Sequence, residues 1–361
     1  MKIFYLTTAI RNDSFDLLIK RGEKINPAGQ NFHSKLIEGL KKIANLEAYS
    51  LPPTQSQINN DASYNYFIYK NRILKKLFAV SNIKSSIKKR IKKEDVILFD
   101  SLSLPLTKIA SYFSKRGYKT IPFLTDSPFN ITFLKNSCAK KIINNVSFSS
   151  GSISLTKELT KLFNLEEKPS LEIQGIMDEF IPKERKENYS YIYFAGALFK
   201  KYGVEELLSA FLNTNPDYKL LIAGHGDMEN ELTRISKNNA KIKYLGQVSK
   251  EDNYAYEHFA SLVINPRPYP SIYDSYSIPS KLIEYLCLSK YVCSTFSTPL
   301  DEYFKNSINL IEGTIESFFL SHLDENKKFV NLKENNPIKN LKIFEAGNVC
   351  NSIFSFLKSL N

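Results

Sequence analysis

The stretch from 264 to 295, INPRPYPSIYDSYSIPSKLIEYLCLSKYVCST, concentrates the residues best suited to chemistry. A strand ends in Asn265-Pro266-Arg267, a loop follows, and Ser277-Ile278-Pro279-Ser280 opens a helix with a serine as its expected N-cap and no acid in its first turn. Such a start turns unbonded backbone N–H groups and the positive end of the helix dipole toward one point, which suits an anion, most often phosphate. Lys281 adds a cation in the first turn. Glu284, one turn on and on the side of Ser280, is placed to accept hydrogen bonds from two ribose hydroxyls, as acidic residues do in dinucleotide-binding folds. An ordinary capped surface helix with an exposed glutamate is the alternative.

Other candidates are thinner. GHGD at 224–227 is not a complete G-x-G-x-x-G, because Met228 and Glu229 follow, and alone it reads as a turn. In the first half, Gly29 of NPAGQNF precedes a helix with Phe32, Leu36 and Leu40 on one face. That loop, with Gln30 and His33, can touch a phosphate or an acceptor, although a lone helical histidine is more often structural. Asp126 ends a strand on the side of an open sheet where ligands bind, and either orients an acceptor hydroxyl or caps the next turn. No DxD pair occurs to hold a metal against a diphosphate, and no G-x-S-x-G elbow appears. The four cysteines (Cys138, Cys287, Cys293, Cys350) form no CxxC pair, so neither a disulfide framework nor a zinc site is expected, and a reducing cytoplasm is the simplest compartment.

These residues need elements to hold them. Apolar runs of strand length alternate with helix-period segments, the pattern of α/β layers with parallel sheets. The expected strands are 3–8, 96–100, 120–125 and 153–156 in the first half, then 191–195, 218–223, 242–245, 262–265 and 291–295. Between the sets, IMDEFIPKERKENYS reads as a linker. Two doubly wound, Rossmann-like domains facing a central cleft follow. Val204, Leu207, Leu208, Phe211 and Leu212 recur at helical spacing, and Val349, Ile353, Phe356, Leu357 and Leu360 form a closing apolar stripe that could pack back across the first domain.

Length and charge agree with this organisation. At 361 residues there is room for about two domains, each with a full core. Forty-nine Lys and Arg against 37 Asp and Glu give +12, yet 43% hydrophobic content is too apolar for a disordered polycation. Residues 71–93 hold nine basic and no acidic side chains, with Lys88, Lys89, Arg90, Lys92 and Lys93 at the end. Interleaved with Ile73, Leu74, Leu77, Phe78, Val80, Ile83, Ile87 and Ile91, they suggest a basic amphipathic helix or helix pair able to lie on an anionic membrane; a solvated face is the alternative. No nucleic-acid motif accompanies the charge, and no run of about 18 apolar residues occurs to span a bilayer. The N-terminal apolar run, stopped at Arg11, is too short for a signal peptide.

YSIPSKLIEYL and YVCST resemble the YSFPSKLxEYxxxGxPVxST segment of GT-B glycosyltransferases of the family 4 type (group 1), especially bacterial members that build exopolysaccharide, capsule or O-antigen. YFAGALFKKYGVEELLSAF, LLIAGHGDMENEL, IKYLGQVSKED and SLVINPR are similar to further landmarks in the family's order, covering about 190–300; the first half matches only through NPAGQNFHSKLIEGL, TDSPF, SLTKEL and LEIQGIMDEF. The resemblance implies an acceptor-binding domain over 1–178, a nucleotide-sugar domain over 179–344, and a last helix, about 345–361, returning to the first. It places Glu284 at the second Glu of the family's E-x7-E motif, Ser277, Ile278, Pro279 and Ser280 at the diphosphate turn, and Lys281 after it. Gly196 matches the phosphate-loop glycine, Gly224 and Gly226 line the nucleotide side, and Gln247 lies near the base.

The departures from the pattern are specific. Tyr276 stands where the first Glu falls, so that carboxylate is lost or supplied by Asp274. Ala197 and Tyr202 stand at the Arg and Lys of the family's GR…KG pair, so Lys200, Lys201, Lys281 or Arg267 takes over those charges. The activity implied is retaining transfer of a hexose or deoxyhexose from a nucleoside diphosphate sugar, most simply a UDP-sugar, to a glycan or lipid-linked glycan. It needs no cofactor or metal, and takes place in the cytoplasm or on the inner face of the membrane. A sugar-nucleotide epimerase and an inactive GT-B partner subunit are the alternatives.

Overall fold

A computed structural model of the chain describes residues 1–21, 23, 27–60, 63–131, 134–178, 182, 184–268, 274–295, 300 and 302–360. The chain divides into two compact units: Met1–Asp178, Ser275–Ser277 and Glu345–Asn361 in the first, Glu179–Asp274 and Ile278–Phe344 in the second. Part of the expected linker, residues 179–181 and 183, lies outside the described residues.

The first unit is built on β1 (Ile3–Thr7), β2 (Leu46–Ser50), β3 (Tyr64–Tyr66), β4 (Val96–Asp100), β5 (Lys119–Leu124), β6 (Ser152–Ser154) and β7 (Ser170–Glu172). They pair in parallel in the order β3-β2-β1-β4-β5-β6-β7, with Ile3 opposite both Leu46 and Val96. IFYLT and VILFD are buried along their whole length, as expected of parallel strands covered on both faces. Strand β2 was not anticipated because Glu47 interrupts its apolar run; that carboxylate meets Lys2 at 2.6 Å and Arg90 at 2.8 Å. The run expected to reach Thr156 stops at Ser154, because Thr156 instead caps the helix Lys157–Leu162, its hydroxyl accepting from the Leu159 N–H.

The second unit carries β8 (Tyr191–Ala197), β9 (Lys219–His225), β10 (Ile242–Gly246), β11 (Leu262–Asn265), β12 (Val292–Ser294) and β13 (Asn309–Leu310), parallel in the order β10-β9-β8-β11-β12-β13. Helix Val204–Thr214 buries Val204, Leu207, Leu208 and Phe211 against this sheet's core, while Leu212 is exposed and Ala210 takes the buried side. In both sheets the chain starts at the centre, winds to one edge, then crosses back to wind the other way. The strand order therefore reverses between β1 and β4 and between β8 and β11. Beyond the carboxyl ends of such neighbouring strands the loops diverge and leave room for a ligand.

Helix Ala346–Ser359 belongs to the first unit, where it buries Val349, Cys350, Ile353 and Leu357. Its partner is the helix Pro27–Lys41: Cys350 Sγ donates to the Leu36 carbonyl at 3.8 Å, and a Cβ on Gly39 would come within 2.5 Å of that sulfur.

Candidate active site

The second unit's reversal point is held shut by glycine. After β8, a short 3-10 turn (Lys200–Tyr202) leads to Gly203, whose φ of 81° is left-handed and whose Cβ, if present, would lie 1.9 Å from the Pro266 carbonyl oxygen. The loops after β8 and β11 therefore touch backbone to backbone, and only glycine permits it. Arg267, next to Pro266, lies 6.0 Å from the centre of the Tyr202 ring, and Lys201 lies 5.1 Å from the same centre. Tyr202 thus gathers two cations at the loop that follows β8. Lys200 is exposed and paired with Glu205 at 3.2 Å.

Gly224, at φ 135°, approaches the Gly196 carbonyl so closely that a Cβ would sit 1.9 Å from it, and a Cβ on Gly226 would lie 2.3 Å from the Leu198 carbonyl. The Leu198 N–H donates to the His225 carbonyl and the Met228 N–H to the Leu198 carbonyl. GHGD is thus stitched to the loop after β8, which accounts for its glycines by backbone packing. At Gly196 a Cβ would meet the Phe194 ring at 3.2 Å, a milder restriction. Gln247 is exposed just after β10.

The helix expected to open at Ser277–Ser280 runs from Ser280 to Leu288, with no acid in its first turn. Its cap differs from expectation: Pro279 occupies the N-cap and Ser280 is the first helical residue, exposed, with no side-chain cap bond. The Leu282 N–H donates instead to the Pro279 carbonyl at 2.9 Å, so the first turn closes on the backbone without a side-chain cap. Ile278 is buried, and Tyr276 and Ser277 are counted with the first unit, where the Thr156 hydroxyl donates to the Ser275 carbonyl at 3.1 Å.

Lys281 does not stand alone. Its ammonium donates to Glu284 Oε2 at 2.5 Å and to Glu257 Oε1 at 3.1 Å. Glu257, on the helix Lys250–Phe259, is wholly buried; Asn253 Nδ2 donates to it at 2.6 Å, and the Tyr193 hydroxyl donates to Asn253 Oδ1 at 2.9 Å. Burial pushes the Glu257 carboxyl up to about 8. Burial by itself would lower the Lys281 ammonium, but Glu257 and Glu284 together hold it well above its ordinary value. The coherent charge state near neutrality is a Lys281–Glu284 ion pair beside a protonated Glu257. Tyr285 binds the same helix to the sheet, its hydroxyl accepting from the Ala195 N–H at 3.1 Å, one residue before Gly196.

At the reversal point of the first sheet, Asp100 ends β4 and is nearly buried. It accepts from the Leu102 N–H at 2.9 Å and from the Thr8 hydroxyl at 3.3 Å, and it lies 3.8 Å from His33 Nε2. His33 Nδ1 pairs with the Tyr5 hydroxyl at 2.8 Å, and burial holds its imidazole below the ordinary value despite the neighbouring Asp100. Gln30 is clamped to both backbone groups of Ile10, accepting from its N–H at 2.8 Å and donating to its carbonyl at 2.5 Å. Gly29 is exposed, with nothing within 4 Å of a would-be Cβ. Asp126 Oδ1 accepts from the Ser127 N–H and from Asn130 Nδ2, both at 2.7 Å, so it does cap the turn after β5.

Asp100 and Glu257 were not singled out from sequence. Asp100 is the last residue of VILFD, a usable signal, whereas Asp126 lies two residues beyond the end of β5. Glu257 lies 24 residues before Lys281, and no local pattern joins them.

The basic segment needs correction. Helix Arg72–Lys88 ends before Arg90, Lys92 and Lys93, and Ala79, Ile83 and Ile87, followed by Ile91, are buried. Arg90 pairs with Glu47, and Lys93 lies over the Tyr118 ring with its ammonium donating to the Arg116 carbonyl, so these two cations serve the unit's own fold. Lys88, Lys89 and Lys92 are exposed. The exposed apolar side chains lie at the other end of the helix: Ile73 (70%), Leu74 and Phe78 (48%). Among the described residues, no helix is long and apolar enough to cross a membrane.

Residues 177–332 match the model of the family described as Glycosyl transferases group 1. An uncharacterized glycosyltransferase of Methanocaldococcus jannaschii is 24% identical over 196 residues, covering 52% of this chain and 47% of that protein, so the chain spans about half the length of this relative. Anabaena HepE in complex with UDP has the same fold, with a TM-score of 0.69 at 12% identity over 99% of this chain and 100% of that one. Sucrose-phosphate synthase from Thermosynechococcus elongatus gives 0.69 at 10% identity over 100% and 99%. The lipopolysaccharide outer core galactosyltransferase WaaB, in its apo form, gives 0.61 at 12% over 98% and 99%.

Proposed function

We propose, on the premise that residues 177–332 are a group 1 glycosyl transferase domain in a chain of GT-B fold, that the protein transfers a hexose or deoxyhexose from a nucleoside diphosphate sugar to a lipid-linked glycan. The observation that carries this reading is the reversal point at β8 and β11. There Gly203 locks the loops together, Tyr202 gathers Lys201 and Arg267, and Tyr285 ties the Glu284 helix to Ala195. In this reading Glu284 accepts the ribose hydroxyls, and the amides of the Ser280 helix with Lys201 and Arg267 meet the diphosphate. Those groups stabilise the negative charge that grows on the leaving phosphate, a role that elsewhere falls to a metal. The departing phosphate takes the acceptor proton with retention at the sugar carbon.

UDP is the nucleotide of choice because HepE is described with UDP and with UDP and glucose. A surface-polysaccharide acceptor is supported by the activity described for WaaB. The acceptor is assigned to the first unit, at Gly29, His33, Asp100 and Asp126. That unit meets the cytoplasmic face of an anionic membrane through Ile73, Leu74 and Phe78 with the exposed lysines of the same segment.

Purified protein incubated with UDP-, GDP- and dTDP-sugars is expected to release nucleotide from one donor when membrane glycolipid is added, with equal turnover in EDTA. Folded protein that turns over none of them overturns the transferase reading, and loss of turnover in EDTA overturns its metal independence.

A further inference from the structure

Glu257 is a buried acid outside the residues just assigned to substrate. It sits at the middle of a hydrogen-bonded line that starts at Tyr193 on β8, passes through Asn253, and ends through Lys281 at Glu284. The Ser289 hydroxyl donates to its backbone carbonyl at 2.8 Å, fixing the helix that carries it against the end of the Ser280 helix. Oε1 receives both Asn253 and Lys281, whereas Oε2 is buried and, among the described residues, has no hydrogen-bond partner. One oxygen of the carboxyl therefore gathers both neighbouring donors, which ties Glu257 to Lys281 and through it to Glu284.

Resting on the reading of Glu284 as the carboxylate that receives the donor, we propose that Glu257 is a positioning residue: through Lys281 it sets the orientation of Glu284, and by holding one proton it keeps the site competent for nucleotide. The titratable groups facing it are Lys281, Glu284 and Tyr285 from the Ser280 helix and Tyr193 from β8. With Glu257 protonated, Lys281 and Glu284 form a neutral pair and Lys281 steers one carboxylate. When Glu257 ionises, two carboxylates compete for one ammonium, Glu284 loses its fixed partner, and the site gains a negative charge where an anion must bind. Since burial places this ionisation at about 8, nucleotide binding weakens as pH rises through that value.

The test is calorimetric titration of the full chain with UDP at pH 7.0 and 8.8, with GDP and dTDP substituted if UDP does not bind. Wild type is expected to weaken at least about fivefold at the higher pH. Glu257→Gln, which reproduces the shape of the protonated acid, is expected to bind like wild type at pH 7.0 and to show less than about half of that alkaline loss. The nucleotide's own titration is common to both proteins, so the difference between them is the readout. Glu257→Leu is expected to lose about tenfold at both pH values; should it not fold, the glutamine profile decides. Identical pH profiles for wild type and Glu257→Gln, or wild-type affinity in folded Glu257→Leu, overturn the proposal. Glu284→Ala separates the two claims: if it binds as wild type does, or if wild type binds none of the three nucleotides, the donor placement itself fails.

Discussion

Lys281 follows the turn 277–280 in sequence, yet its ammonium is occupied by Glu284 and Glu257. In the proposed donor site the phosphate charge is therefore assigned to Lys201 and Arg267, which reach Tyr202 from segments more than 60 residues apart. Residue type and local spacing nominate Glu284 and the cations, but do not decide which cation is paired within the fold. That depended on Glu257, and Asp100 was likewise placed beside His33 only by the fold. His33 gives a prediction at this scale. Its imidazole is held below the ordinary 6.5 by burial, so the folded state binds fewer protons than the unfolded one just below that pH. Its contribution to stability is present above 6.5 and is lost as pH falls from there toward the folded value, at most about 1.4 kcal/mol per pH unit. His33→Gln should flatten the fall in Tm between pH 6.5 and 5; an unchanged slope would show that other groups govern it.

The long central strands were readable as unbroken apolar runs, because a parallel strand covered on both faces has no polar side to interrupt it. What escaped were β3, β7 and β13, too short to show a pattern, and β2, where Glu47 breaks the run to meet Lys2 and Arg90. The same Glu47 reorders the view of the basic segment, since an acid 43 residues away neutralises Arg90. The proposed membrane contact is therefore placed at the exposed start of the helix Arg72–Lys88, whereas Arg90, beyond its end, is paired within the fold. Replacing Ile73, Leu74 and Phe78 together by serine should reduce binding to anionic vesicles by about tenfold or more with Tm unchanged, because these side chains are already exposed. Arg90→Ala should instead lower Tm slightly, by no more than about 1 kcal/mol of stability, and leave vesicle binding nearly intact. Cosedimentation with liposomes and thermal melts measure both; equal vesicle binding by the triple variant and wild type would remove the membrane contact.

Across the whole molecule, one winding pattern is used twice: Asp100, beside His33, lies at the reversal point of one sheet, and Arg267 with the Gly203 turn at that of the other. Alternating strand and helix patterns revealed the α/β class and its parallel sheets, but not the strand order, which follows from crossovers that leave no periodic mark. The helix Ala346–Ser359 adds a dependence of its own. Burial of Val349, Cys350, Ile353 and Leu357 contributes on the order of 6–10 kcal/mol before the cost of ordering the helix, comparable with the 5–15 kcal/mol typical of a domain. Removing residues 345–361 should leave the second unit folded and the first susceptible to protease; equal resistance of both units would show that this helix is dispensable. During synthesis the same arrangement sets an order of completion. The ribosome delivers the first unit's strands early, but the face of the helix Pro27–Lys41 around Gly39 stays uncovered until residues 346–359 emerge, after all of the second unit's sequence. The part of the protein translated first is thus the part finished last, with an apolar groove open to chaperones through most of translation.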